Sequence, residues 1–149
     1  MDKRIINERS IEKVKHLIKK SSQRPLMIYM QDDAFNRKII EHGKFDVLVY
    51  TEKEDRKNTL RQKDSGLNKY LAREMVKNKI SFGIDIEYIR EKDKKEKAIL
   101  IGRTIQNIKI ARKVKLSLAI FGSKDNKDSK SFIMSIGASS EQAHKAIYF

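Results

Sequence analysis

Four short apolar runs separated by amphipathic helical stretches constrain this chain more than any other feature of its sequence. They lie at residues 26–30, 45–50, 80–86 and 116–121. Runs of this length read as buried strands, and the third alternates Ile80, Phe82, Ile84 and Ile86 with Ser81, Gly83 and Asp85. Between them the spacing turns helical. Ile11, Val14, Leu17 and Ile18 share a face of 8–20 behind a capping Ser10, and Phe35, Ile39 and Ile40 mark a helix over 33–42 that Gly43 ends. Leu67, Tyr70, Leu71 and Met75 mark 66–78, and Ala98, Ile101, Ile105 and Ile108 mark a long helix reaching about residue 114. Short helices over 129–136 and 139–147 follow, the second capped by Ser139 or Ser140. Strands alternating with helices need crossover connections, so the expected fold is α/β with a mainly parallel sheet. Four strands and five or six helices are about half of an eight-stranded barrel. The 149 residues suit one domain, with an N-terminal helical segment over 1–24 and a βα-barrel portion over 25–149.

Charge is the second constraint. Thirty-four Lys and Arg stand against 20 Asp and Glu, a net +14, and 24 of the basic residues are Lys. A surface built only for solubility would balance its Lys with Glu. An excess of this size on a small domain calls for a polyanionic partner, because each neutralised phosphate releases condensed counterion. Nucleic acid fits best and a membrane surface least, since no basic amphipathic helix bearing Trp or Phe stands out. No run of about 18 apolar residues is present, and no secretory leader pattern opens the chain, so a cytoplasmic protein is expected. The absence of Cys removes disulfides, thiolate metal sites and cysteine nucleophiles together.

Catalytic constellations are sparse. His16, His42 and His144 each stand alone in a helical segment, in neither H-x-H nor H-x-x-x-H spacing, and read as surface or packing residues. Asp85 and Glu87, two apart at a strand end, could hold a hard cation with Asp64, but such acids more often cap a helix or pair with lysines. No G-x-S-x-G, phosphate-loop or G-x-G-x-x-G pattern occurs. The informative stretch is 63–69, where a loop meets a helix: Asp64 or Ser65 is the expected cap, Gly66 allows close backbone approach, and Asn68 and Lys69 extend from the first turn. Basic residues flank it: Lys53, Arg56, Lys57, Arg61 and Lys63 precede it, and the polar loop over 90–97 brings Arg90, Lys92, Lys94, Lys95 and Lys97. Loops that follow strand ends share one face of an α/β fold, so these residues and Lys124 form the candidate RNA-contacting surface. Aromatics are only 7% of the chain, which leaves base stacking a secondary contribution.

The blocks F-N-R-K-I-I-E-H-G-K-F-D-V-L-V (35–49) and D-S-G-L-N-K-Y-L-A-R-E-M-V-K-N-K-I (64–80) resemble, in order, the protein component 3 family of archaeal and eukaryotic ribonuclease P. Residues 103–116, Ser123 and 131–143 are similar to its long helix, its serine-bearing loop and its closing segment, so the resemblance covers 26–146. Asn36, Asp64, Gly66, Leu67, Asn68 and Ser123 fall on its motif positions. The resemblance implies a TIM-like barrel of the polymerase-and-histidinol-phosphatase (PHP) type. It also implies a non-catalytic protein subunit that shapes a catalytic RNA for removal of the 5′ leader from precursor tRNA. The implied partners are ribonuclease P RNA, precursor tRNA and a small RRM-like protein, component 2. The implied cofactor is Mg²⁺ at the RNA, with none on the chain. Two positions depart from the pattern. Glu87 stands where the family commonly has Arg, and about two βα units are missing before residue 10, which makes this a shortened barrel. A shortened barrel leaves a sheet edge at 26–30, which residues 5–20 or a partner are expected to cover. The alternatives are a metal-dependent PHP-like phosphoesterase using Asp64, Asp85 and Glu87, and a basic protein-interaction module.

Overall fold

A computed structural model describes residues 5–51 and 65–149. Its elements run β1 (Ile5–Ile6), α1 (Ile11–Lys20), β2 (Met27–Tyr29), α2 (Asp33–His42), β3 (Val47–Val49), α3 (Lys69–Lys77) and β4 (Ser81–Asp85). They continue with α4 (Ile86–Arg90), α5 (Lys94–Val114), β5 (Leu118–Phe121), α6 (Asn126–Ser135), α7 (Ser140–Lys145) and β6 (Ile147–Tyr148). All six strands are parallel and lie in the order β1-β2-β3-β4-β5-β6. Each strand's neighbours in the sheet are therefore its neighbours in sequence. With right-handed crossovers and no reversal of order, every connecting helix falls on the same side of the sheet. This is the winding of a βα barrel, shortened and open between β1 and β6.

Alternation along the strands separates two cores. Ile28, Leu48, Phe82, Ile84, Leu118 and Ile120 turn toward the helices and pack with Val14, Ile39, Ile40, Met75, Leu100, Ile108 and Ile133. Met27, Val47, Val49, Ala119 and Phe121 turn the other way and pack on one another, with Ile5, Tyr29 and Phe149 against them. That second set is the filled interior of the barrel. Gly83 sits on this inner side because there is no room for more: a Cβ there would lie 2.7 Å from Val47 Cγ1 and 3.2 Å from the Val49 Cα.

The four expected strands are present, and two more flank them. Ile5–Ile6 pairs with Met27 and Ile28, so residues 5–20 do cover the edge at 26–30, and the 1–24 segment is part strand rather than wholly helical. Ile147–Tyr148, expected to end a helix, instead pairs with Ala119 and Ile120. The 80–86 run stops at Asp85, whose carboxylate accepts from Glu87 N (3.0 Å) and Tyr88 N (3.2 Å) and starts α4 at Ile86. Consequently 90–97 is not one loop: Arg90 ends α4, and Lys94–Lys97 form the first turn of α5 behind the cap Asp93. The buried face of α5 is also rotated from the expected one. Leu100, Ile108 and Ala111 are buried there beside Arg103, Thr104 and Asn107, whereas Ala98 and Ile105 are exposed.

α5 ends on Lys115 at φ 60°, ψ 38°, a left-handed conformation that costs a side-chain-bearing residue about 1–2 kcal/mol. Lys115→Gly is expected to raise the unfolding free energy by about 1 kcal/mol in urea titration, part of the relief being offset by the extra freedom of Gly in the unfolded chain.

Candidate nucleic-acid interface

In a parallel βα fold the strands' C-terminal ends and the helix N-termini gather on one face, and the positive ends of the helix dipoles point there. Here that face carries the caps Ser10, Asp32, Asn68, Asp85, Asp93 and Asp125, each accepting from a backbone N–H of its helix. Its acidic caps are thus engaged locally. Lys94, Lys95 and Lys124 stand exposed beside these helix starts and make no ion pair among the described residues. Lysines at a helix N-terminus add to the dipole rather than offset it.

Two hollows open on this face. One, of about 350 Å³, is lined by Ile86, Ile89, Ile101 and Phe132, with Arg90, Lys97, Ser123 and Asp128 among its walls. It brings Arg90 and Ser123 together from separate βα connections. Ser123 also organises its own turn: its Oγ donates to Asp125 O at 3.2 Å. The other, of about 570 Å³, lies at the ends of β1, β2 and β3 and is lined by Asn7, Arg9, Tyr29, Gln31, Thr51 and Tyr88, among others. Burial, and then the neighbouring Asp85 and Tyr88, hold the Tyr29 phenol above its usual pKa, so it remains a neutral hydrogen-bonding group. Lys92 Nζ lies 4.4 Å from the centre of the Tyr88 ring, a cation–π contact that fixes one basic side chain at the rim.

The remaining sequence candidates divide. Lys53, Arg56, Lys57, Arg61, Lys63 and Asp64 lie outside the described residues. The helix cap expected at Asp64 or Ser65 is Asn68, whose Oδ1 accepts from Leu71 N at 2.8 Å; this engages the oxygen and leaves the exposed Lys69 as the outward group of that turn. Ser65 is instead buried as a latch. Its hydroxyl accepts from Gln106 Nε2 (2.9 Å) and donates to Leu67 O (3.3 Å), while its carbonyl accepts from Asn107 Nδ2 (2.9 Å). Leu67 is 4% exposed, and Gly66 has φ +80°. Asn36 is fully buried and closes the turn between β2 and α2, donating to Gln31 O and accepting from Gln31 N. Most of the motif block is therefore a brace that holds α3 on α5. Gln106 and Asn107, which sequence reasoning did not name, complete that brace; their spacing on α5 alone carries no signal of it.

Asp85 and Glu87 do not converge on a cation position, since the Asp85 oxygen is turned back onto the helix it caps. Among the described residues no three His, Asp or Glu side chains gather as a metal-binding group, and no helix is long and apolar enough to cross a membrane.

No family model matches the chain, and neither does any curated protein. Among solved structures it is similar to a chain of archaeal ribonuclease P determined with mature tRNA by cryo-EM, at a TM-score of 0.76 and 22% identity. The match takes in 95% of this chain and 62% of that one, so this chain spans under two thirds of its neighbour's length. What the two share is the fold.

Proposed function

We propose that the chain is a non-catalytic protein subunit of a ribonuclease P-type ribonucleoprotein and binds the catalytic RNA through the face at the C-terminal ends of its strands. The observation that carries this is the agreement in fold, over almost the whole chain, with a protein from a particle of that kind. The exposed Lys94, Lys95 and Lys124, which make no ion pair among the described residues, support it, because such groups gain more from phosphate than from a neutral partner. Lysine contacts to phosphate position RNA rather than read its sequence. The 5′ leader of precursor tRNA is then cut by the RNA with its Mg²⁺, and the small RRM-like component 2 is the protein neighbour to expect.

Arg90, Lys92, Lys94 and Lys95 are the described residues to test together. Replacing all four with Ala should flatten the slope of log affinity against log salt by up to roughly four, about one per lost phosphate contact. Filter binding to the cognate RNA between low and moderate salt measures this, and an unchanged slope overturns the assignment of this face. In a cleavage assay, adding the chain to the RNA at limiting Mg²⁺ should raise the rate on precursor tRNA. No change there would overturn the subunit role.

A further inference from the structure

The opposite end of the sheet, where the strands begin, carries a second basic hollow. It measures about 770 Å³ and lies between α1 and α2. His16 and His42, 26 positions apart and unremarkable singly, both line it, with Lys15, Lys19, Arg24, Lys44, Glu12 and Ser21. The packing of α1 on α2 is what unites them.

Part of this charge is already spoken for. Arg24 pairs with Asp46 at 3.2 Å, and Lys15 lies 4.0 Å from Glu12, whose side chain is largely in solvent. The C-termini of α1 and α2 end here too, and two helix ends amount to roughly one negative charge. Lys15, Lys19 and Lys44 against Glu12 and those helix ends leave about one positive charge over before the imidazoles are counted. That residue matches a phosphodiester, which carries a single negative charge, better than a phosphomonoester, which carries nearly two. The two imidazoles supply directed contacts, each carrying at least one N–H donor.

We propose that this hollow binds a backbone phosphodiester of RNA, so that the protein holds RNA at both ends of its barrel. The identity of the polyanion as RNA rests on the function proposed above; the site itself rests on the α1–α2 geometry. Burial, then Lys15 and Lys44, hold His42 below its usual pKa, opposed by Glu12. Lys19, Arg24 and His16 line the same hollow. A seated phosphodiester offsets the cation field of Lys15 and Lys44 and should draw the His42 titration upward.

The test follows the imidazole resonances of the full chain by NMR while a short RNA duplex is added, and in parallel while inorganic phosphate is added. The expected result is a shift at His16 and His42 with RNA, together with a rise in the pH at which His42 titrates. Both effects should vanish in the double variant Lys19→Gln, Lys44→Gln. That variant should also lose on the order of tenfold in RNA affinity and flatten the salt slope by roughly two. Both lysines are exposed, so the variant should fold as the parent does. RNA that binds without moving either imidazole overturns the second site and leaves the C-terminal face as the interface. A response to inorganic phosphate alone overturns the RNA assignment in favour of a free-anion site. No RNA binding at all overturns both this proposal and the function it rests on.

Discussion

Gly122→Ala is expected to lower the unfolding free energy by about 2–5 kcal/mol, a large share of what a domain of this size has to lose. Two costs combine. Gly122 sits at φ +88°, where a residue bearing a Cβ is strained by about 1–2 kcal/mol. An added methyl would also press onto Asp85 Oδ1 and lie 2.7 Å from Glu87 N. Neither atom can give way cheaply, because the Asp85 carboxylate is fixed by its bonds to Glu87 N and Tyr88 N. Relief therefore means moving the start of α4 or breaking its cap, which adds about 1–3 kcal/mol of overpacking. Urea denaturation should show a lower midpoint with an unchanged slope. Gly137→Ala is the control: φ is +111° there too, but the nearest atom to a new Cβ is Ile105 Cγ2 at 4.0 Å. The difference between the two variants isolates the clash. Because α4 ends at Arg90, whatever remains folded of Gly122→Ala should also misplace one wall of the smaller hollow at the C-terminal ends of the strands.

Asn36→Ala is expected to cost a similar amount, about 2–5 kcal/mol, by a different route. The Asn36 side chain accepts from Gln31 N at 2.7 Å and donates to Gln31 O at 3.1 Å, imitating a strand partner where β2 has run out. Both Asn36 and Gln31 are buried, at 0% and 5% exposure. Truncation removes both bonds from the buried Gln31 backbone, at about 1–3 kcal/mol apiece. Thermal or urea unfolding reads the loss. RNA affinity per folded molecule should stay unchanged, which distinguishes a bracing residue from one that touches phosphate. A full loss of RNA affinity in a protein of undiminished stability would reverse that assignment.

The parts of the fold that could be read from sequence are those whose burial leaves a long signature. β2, β3 and β5 announce themselves because strands covered on both sides must be apolar along their whole length, and β4 by the alternation of Ile80, Phe82 and Ile84. α2 and α3 do so because each rests on one face. β1 and β6 pair over two residues each, and Ile5–Ile6 or Ile147–Tyr148 displays no period that a reader could count. α4 is hidden for the opposite reason: its buried Ile86 extends the alternation of the strand before it, and the capping bonds of Asp85 separate the two. The phase of α5 was misjudged because Arg103, Thr104 and Asn107 occupy its buried side, and a hydrophobic pattern cannot register polar residues that go inside. The candidate site divides likewise. Lysines at helix starts follow from topology once the strands are placed. The meeting of His16 with His42 depends on how two helices pack, and local spacing does not encode that.

The sequential strand order has a consequence for how such a protein can vary and assemble. No connection passes over a strand other than those it joins, so each strand–helix unit depends on the unit before it and offers an edge to the unit after it. A chain leaving the ribosome can therefore complete its sheet in the order in which it is made, with no segment waiting for a distant partner to arrive. The same modularity lets whole units be gained or lost at the ends while every retained strand keeps its neighbours. Chains of quite different length can share such a scaffold, whose girth is then adjusted unit by unit.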